Sequence, residues 1–533
     1  MSAALQVEHR GEYRLRDTAS VVGSVLLSRR PLVATRLNDA AVDLLATLDV
    51  EAFRSPATVA AETTYGVDAV VDLFERLHQR GFLAWRPGRD PAFQPPVSVV
   101  VTVRDDRQHL SACLDALAAL DYPDYEVVVV DDGSTDGSGE AAAGHPLAEQ
   151  GRLRLVSVGT ADEPLGIGAS RNRGVDAATN YVIAFTDADC RPTARWLTDL
   201  VPCLSSHDVV GGRVRPAGDD AASAYEGVAS SLDMGAYGSR VDPCGDTPYL
   251  PTANLVGRRA VFETVPFPER DVAEDVDVCW RALAAGYDAV YTPEGVVHHD
   301  YRRSHLELAG SRSTYGASEA LLAGDYGHQG TRVSVPLDAL LFVMLAVAGV
   351  VSSGVAATVA LAAAALVGGA GLFARLAGTV RQYRRLQSTV SVRDVVDSRF
   401  REAVSTTYAL AREVTRYYSA PLGFVAVLTW FAAPTVGLAL GAGIALSAFL
   451  PLAVEYAVHR PDASFVGYAG YYVADHAGYQ FGVYRGALAH RTIAHLDPSG
   501  RFRLSGPGAG RVANAESGTV ASPSAGRERN RLQ

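Results

Sequence analysis

Two runs of β-branched and aromatic residues that end in clustered acids constrain this chain more than any other feature. The first is Val127-Val128-Val129-Val130-Asp131-Asp132-Gly133-Ser134, and the second is Ile183-Ala184-Phe185-Thr186-Asp187-Ala188-Asp189. An apolar run closed by polar residues reads as a buried strand that delivers its acids to the carboxyl edge of a sheet. In an open α/β sheet that edge is where ligands bind. Two carboxylates at i, i+2 on a strand end suit a hard divalent cation, with positions left for phosphate oxygens. The pattern therefore points to a metal-dependent enzyme that handles a nucleotide diphosphate.

At 533 residues the chain exceeds one ordinary domain. Residues 1–87 read as a small unit and 88–96 as a Pro-rich linker. Strand-like and helical runs alternate over 97–330, as in a parallel α/β sheet. Apolar blocks with an arginine-rich segment between them fill 331–460. A juxtamembrane segment (461–503) and a tail rich in Ser, Gly, Ala and Arg (504–533), expected to be disordered, complete the chain. A net charge of −11 argues against nucleic acid as a partner. The chain has no lysine; all 48 basic residues are arginine, and no function follows from that. Cysteines 113, 190, 203, 244 and 279 lack Cys-x-x-Cys spacing, so neither a zinc site nor a disulfide framework is expected and a reducing cytosol fits. The first residues lack the apolar stretch of a signal peptide.

The apolar blocks, Leu337–Leu372 and Leu422–Val458, hold about 36 residues each, roughly 54 Å as a single helix. That is nearly twice the ~30 Å hydrocarbon core of a bilayer. Ser352-Ser353-Gly354 interrupts the first block and Pro434 the second, which predicts two transmembrane helical hairpins. Arg302, Arg303, Arg312 and Arg332 precede the first block, nine arginines from Arg375 to Arg416 separate the two, and Arg460, Arg485 and Arg491 follow the second. If basic flanks stay in the cytoplasm, each block crosses an even number of times. Core helices of a soluble domain are the alternative.

In the central section, Val97–Asp106 reads as a first buried strand with polar residues at its C-terminal end, and residues 107–120 as the helix after it. Asp131 and Asp132 stand at the next strand end, where an acid can bind a base or ribose; an Asx turn or helix cap at Asp131, Ser134 or Asp136 is the structural alternative. Gly166-Ile-Gly168-Ala-Ser-Arg171-Asn172-Arg-Gly174 offers a helix start able to approach a ligand, with Arg171 and Asn172 facing diphosphate or sugar oxygens. Its glycine spacing does not fit a dinucleotide fingerprint. Asp187 and Asp189 need a cation to offset their desolvation. Glu274-Asp275-Val276-Asp277 opens a helix, where acids suit the dipole; an acid there also serves as a general base. Asp277 is expected to face solvent or cap. His298 or His299, at a strand end, supplies a third metal ligand. Thr252 and Asn254 lie just before the helix that Glu274 opens, where a plain structural turn is one reading.

As an ordered set, D-D-G-S-x-D, G-x-x-x-x-R-N-x-G, D-x-D, E-D and a late histidine resemble glycosyltransferase family 2 over residues 97–320. The resemblance implies a Rossmann-like, nucleotide-sugar-binding domain of the GT-A type and inverting transfer from a nucleotide sugar. It assigns Asp132, Arg171, Asn172 and Asp187 to the donor, Asp189 to Mn²⁺ or Mg²⁺, and Asp275 to the catalytic base. It also implies an acceptor-lining loop at Thr252 and Asn254, with Glu274. Thr102 and Ser170 stand where the family often has Pro and Ala. The Q-x-x-R-W motif of processive members is missing; Gln382-Tyr-Arg-Arg-Leu386 lacks its tryptophan.

In the amino-terminal unit, Asn38 caps a first helix, Thr58–Ala61 suggests a second, and Asp68–Leu77 forms a third before Arg80-Gly81-Phe82-Leu83. This reads as a winged-helix-like unit closed by a hairpin. L-N-x-x-A and the terminal R-G-F-L resemble the peptide chaperone of pyrroloquinoline quinone synthesis, which implies leader-peptide capture on a sheet edge. The whole order of units resembles the mycofactocin-system glycosyltransferases. That resemblance implies glucose transfer from UDP-glucose to a peptide-derived redox cofactor, with any oligosaccharide built distributively. The expected setting is the cytoplasmic membrane, in contact with lipid, with the catalytic domain facing the cytoplasm. Two other readings are a membrane transferase acting on a polyprenyl phosphate or cell-envelope glycan, and a non-catalytic peptide-binding scaffold.

Overall fold

The computed structural model describes residues 11–30, 32–327, 332–352, 354–386 and 390–505. In the amino-terminal unit β1 (Glu12–Leu15) is followed by an antiparallel sheet of β2 (Ala19–Val22), β3 (Val25–Arg29) and β4 (Leu32–Arg36). Three helices come next: α1 (Asp39–Leu45), α2 (Pro56–Glu62) and α3 (Val67–Gln79). Asn38 caps α1 by accepting from the Ala41 amide at 2.9 Å, and Ser55 caps α2. The last strand, β5 (Leu83–Arg86), returns to pair with β1. The three helices match the sequence reading. The β2–β4 sheet is additional, and β5 finds its partner at the start of the unit rather than in a local hairpin. Its Trp85 is buried and meets the His207 ring edge-on at 6.3 Å. Arg86 and Arg89 both reach Glu294, and Arg240 reaches Glu75 at 2.6 Å, so the unit is docked on the central domain.

The Val-, Ile- and Phe-rich runs of that domain become β6 (Val97–Val103), β7 (Tyr125–Asp132), β8 (Leu153–Val158) and β9 (Val182–Asp187), all mutually parallel. They continue through β11 (Val209–Gly211), β13 (Ser239–Arg240), β14 (Leu255–Arg258) and β15 (Ala289–Tyr291) into one sheet of order β13-β15-β11-β14-β9-β6-β7-β8. The expected all-parallel sheet is corrected here: β14 lies antiparallel between β9 and β11. Local apolarity reports burial, not strand direction. A second small sheet places β16 (Val297–His299) between β10 (Cys190–Pro192) and β12 (Val214–Pro216). Helices α4 (Arg107–Ala118), α5 (Ile167–Ala177), α6 (Glu274–Ala284) and α7 (His305–Tyr326) accompany the sheets. In α4, Leu110, Cys113, Leu114 and Leu117 are buried at the helical period.

The rest of the described chain is mainly helical. It holds α8 (Leu337–Val351), α9 (Gly354–Leu386), α10 (Val392–Glu413), α11 (Ser419–Ala432), α12 (Pro434–His459) and α13 (Phe465–Ala489), with a π-helical turn, Val414–Tyr418, joining α10 to α11. α8 packs on α9 and α11 on α12, with breaks beside Gly354 and Pro434. In α9 and α12 the most apolar windows are only 11% and 22% buried. A core helix would hide such residues, so these two are candidate membrane spans. The segments that flank the apolar helices pack back on one another and on the rest of the described chain. β17 (Val333–Pro336) pairs with β18 (Phe502–Ser505); Val390 and Val395 pack on Leu27 and Leu32 of the amino-terminal unit; α13 lies along α7. Added Cβ atoms on Gly478, Gly482 and Gly486 would collide with the backbone of Ala309, Ser313 and Ala317 in turn. The advancing register makes α7 and α13 parallel neighbours packed backbone to backbone, as small residues at every fourth position allow. Residue 503 and the first two residues of the expected tail lie in β18; residues 506–533 lie outside the described residues.

Candidate active site

Parallel β6, β7 and β9 bring their carboxyl ends to one edge, where Thr102 is registered against Asp187. Asp131 accepts from the Ser134 amide at 3.0 Å, an Asx turn, while Asp136 accepts from the Arg107 and Ser138 amides. Asp132 is buried and accepts from the amides of Leu165 and Gly166 at 2.6 and 2.8 Å. It therefore positions the loop before α5. Gly166 has φ +93°, and a Cβ on Gly168 would collide with the Pro268 carbonyl. The small residues of this loop admit the 268–271 segment, which Asp271 ties down by accepting from the Ile167 amide at 3.1 Å.

From α5, the buried Arg171 donates to Asp187 at 2.8 Å and to Glu274 at 2.5 Å. This one guanidinium links the D-x-D strand to the E-D helix. Asp275 follows Glu274 at the helix start, behind Ala273, a non-glycine residue at φ +53°. Strain of that kind concentrates at functional sites. Burial, and next the negative charge of Glu274, raise the Asp275 carboxyl to about 7. Asp187, Asp189, Arg171, Glu274, Asp275, Thr252, His299 and Arg302 all line one cavity of about 880 Å³.

Antiparallel pairing of β10 with β16 sets Cys190 opposite His299. His299 Nε2 lies 3.5 Å from Asp189, Arg302 lies 3.6 Å from it, and ligand atoms of Asp189, Cys190 and His299 fall within 4.8 Å of one another. The buried His299 Nδ1 has no hydrogen-bond partner among the described residues, so the ring is free to ligate. Burial pushes the Cys190 thiol up, leaving an acid–imidazole pair as the donors that fit a divalent cation. His298 points its Nδ1 to the Pro216 carbonyl at 3.2 Å; of the two histidines, His299 is the one beside Asp189.

Four expectations are corrected. Asp132, assigned to the donor, does not line the cavity, because both of its oxygens accept from the loop amides of Leu165 and Gly166. Asn172 does not line the cavity: its amide exchanges two hydrogen bonds with the Phe267 backbone, 2.9 and 2.8 Å. Asn254 does not line the cavity: it accepts from Trp196 and donates to the carbonyls of Arg213 and Gly295, which exhausts its donors. Asp277 is buried, held by Arg270, Arg281 and the Tyr326 hydroxyl, because α7 covers it. Arg302 and Ala273 went unnoticed at the site. Arg302 carried a signal: a cation three residues beyond a ligand-bearing strand.

The edge, the acids and the E-D helix together define a nucleotide-sugar-dependent transferase fold of the GT-A type. Residues 98–265 match Glycosyl transferase family 2. Glycosyltransferase AglE of Haloferax volcanii is 33% identical over 218 residues, 39% of this chain and 68% of that protein. The chain belongs to that family and is a glycosyltransferase, which sets the scaffold reading aside. A pre-mycofactocin glycosyltransferase of Mycobacterium tuberculosis is 31% identical over 247 residues, 45% of this chain; the match spans only about half, 49%, of that relative. Among solved structures, a Pyrobaculum calidifontis mannosyltransferase in complex with GDP-Man and Mn²⁺ aligns at 19% identity and TM-score 0.35, covering 67% of this chain and 89% of the other.

Proposed function

We propose that this enzyme is a membrane-anchored, inverting, metal-dependent hexosyltransferase that moves glucose from UDP-glucose to a peptide-derived redox cofactor. The observation that carries the chemistry is Asp275, a carboxyl raised to about 7 on the cavity wall beside the Arg171–Glu274–Asp187 bridge. A base with that affinity for protons takes the acceptor hydroxyl proton as the oxygen attacks the anomeric carbon. The bond to the diphosphate breaks in the same step, and UDP leaves. Asp187 orients the donor, and Arg171 fixes Asp187. When bound, Mn²⁺ or Mg²⁺ held by Asp189 and His299 offsets the charge of the leaving diphosphate. Arg302, half exposed beside Asp189, adds positive charge at the same end.

The mycobacterial relative and the docked amino-terminal unit support the acceptor. β4 is an edge strand, and with α3 it frames a groove of about 470 Å³ lined by Arg36, Leu37, Leu73, Arg76 and Arg80, where an extended leader peptide fits. Packing of the flanking segments on one another and on the rest of the described chain supports two hairpins with the catalytic domain on the cytoplasmic side. A polyprenyl phosphate acceptor is the second reading, favoured by the continuation of the cavity to Arg416, at the foot of α11. Purified protein with Mn²⁺ and a panel of nucleotide sugars distinguishes the two. Hexose gained by the peptide-derived acceptor alone is the expected result; transfer only to the polyprenyl phosphate would overturn the cofactor reading.

A further inference from the structure

The cavity runs past the transferase centre to an inner end between α7, α13 and the π-helical turn, where Arg412, Glu413, Arg416, Tyr417, Tyr479 and Arg501 line it. The acids at that end are already satisfied. Glu319 accepts from Tyr417 and Arg501, each at 2.5 Å, and from Tyr479, while Glu413 lies 3.5 Å from Arg501. Nearer the centre, Arg312 is held by Glu226 at 2.7 Å and Asp475 at 2.9 Å.

Arg416 is left over. Among the described residues its guanidinium has no hydrogen bond and no carboxylate within 4.0 Å; it stacks on Tyr479, 3.5 Å from the ring centroid. The carboxylates of Asp475 and Glu319 act on it only from beyond ion-pair distance, and a half-buried cation with no direct partner is costly unless an anion completes it. The guanidinium fork suits phosphate oxygens in particular. Arg412, ion-paired with no carboxylate among the described residues, adds to the positive charge. Arg416 also sits within the π-helical turn Val414–Tyr418, an irregularity that recurs at functional sites. That turn leads directly into α11, which packs on the candidate membrane span α12; on the hairpin reading proposed above, the inner end faces the headgroup level of a bilayer.

We propose that Arg416, with Arg412, binds a phosphate or diphosphate group presented by a lipid headgroup from the bilayer side. The site rests on the proposed cavity but not on the identity of the acceptor, because binding is measured apart from transfer. The test titrates full-length protein in detergent with farnesyl phosphate, farnesol and inorganic phosphate, and with UDP plus Mn²⁺ as a probe of the other end. Farnesyl phosphate is expected to bind and farnesol not to. Arg416→Gln is expected to weaken farnesyl phosphate at least tenfold, with Arg416→Lys in between, while all three proteins bind UDP alike. Displacement of farnesyl phosphate only by another prenyl phosphate supports the lipid source. Equally good displacement by inorganic phosphate keeps the anion site but assigns it to soluble phosphate. Unchanged farnesyl phosphate affinity in both variants, or no binding of any phosphate probe to the wild type, would overturn the proposal. Intact farnesyl phosphate binding without turnover of any nucleotide sugar would sink the transferase reading alone.

Discussion

At one end of the cavity a single buried arginine serves a surplus of acids: Arg171 bridges Asp187 and Glu274, and Asp275 and Asp189 stand nearby without a carboxylate-sized share of it. At the other end the balance is reversed, because Glu319, Glu413, Glu226 and one oxygen of Asp475 are engaged by Arg501 and Arg312, while Arg416 has an aromatic face and no carboxylate within 4.0 Å among the described residues. The two ends are built to take opposite charges. An acid surplus draws a cation and holds one carboxyl protonated near neutrality. A free guanidinium draws an anion. The contrast also shows that buried charge by itself does not identify a site; what matters is which member of the network is left without a partner.

The comparison breaks most severely at Asp275. Asp275→Asn removes the base and is expected to lower kcat by about 10²–10⁴-fold while nucleotide binding persists; full activity in a purified variant would remove Asp275 from the mechanism. Arg171→Leu comes next. It leaves the buried Glu274 and the partly exposed Asp187 without their shared cation and is expected to cost about 3 kcal/mol of stability, read by chemical denaturation. A variant as stable as wild type would mean that the acid end tolerates its own repulsion. Smaller again is the histidine pair: His299→Gln is expected to raise the Mn²⁺ concentration for half-maximal activity about tenfold, with the imidazole lost from the site. His298→Gln, whose partner is the Pro216 carbonyl, should leave that value unchanged. Equal effects would place the ion elsewhere.

Much of the acid end was legible from local pattern. Asp187 and Asp189 end a strand whose apolar run is visible in the chain, and the Glu274-Asp275 pair announces a helix start. What escaped was fixed by partners far away in sequence. The amides of Asn172 and Asn254 are spent on groups 95 and 41 residues distant, and nothing beside them in the chain reports that. Asp277 follows a solvent-facing pattern along its own helix and is buried only because Tyr326 and Arg270 close over it. The inner end escaped for a different reason. Gly478, Gly482 and Gly486 repeat at intervals of four in plain view, yet the closeness that they permit has meaning only once α7 lies against them.

The finest test of the contrast is pH. Asp275 acts as a base only when ionised, so transfer is expected to rise with pH through about 7 and level off above it. Glu274 is the second cause of the raised value, after burial. Glu274→Gln removes that like charge and also frees Arg171 from one of its two partners; both changes favour ionised Asp275. The midpoint of the profile therefore moves down, and a midpoint that moves up or stays would show that Glu274 does not act on Asp275 through charge. Stability carries the same sign. Because the folded protein holds the Asp275 proton more tightly than the unfolded chain, this group's contribution is fully present below the unfolded value near 3.8 and is lost as pH rises through about 7. Asp275→Asn, which cannot ionise, is accordingly expected to melt at a higher temperature than wild type at pH 8 and alongside it at pH 4. A gain of equal size at both pH values would trace the effect to packing rather than to the charge that the acid end imposes.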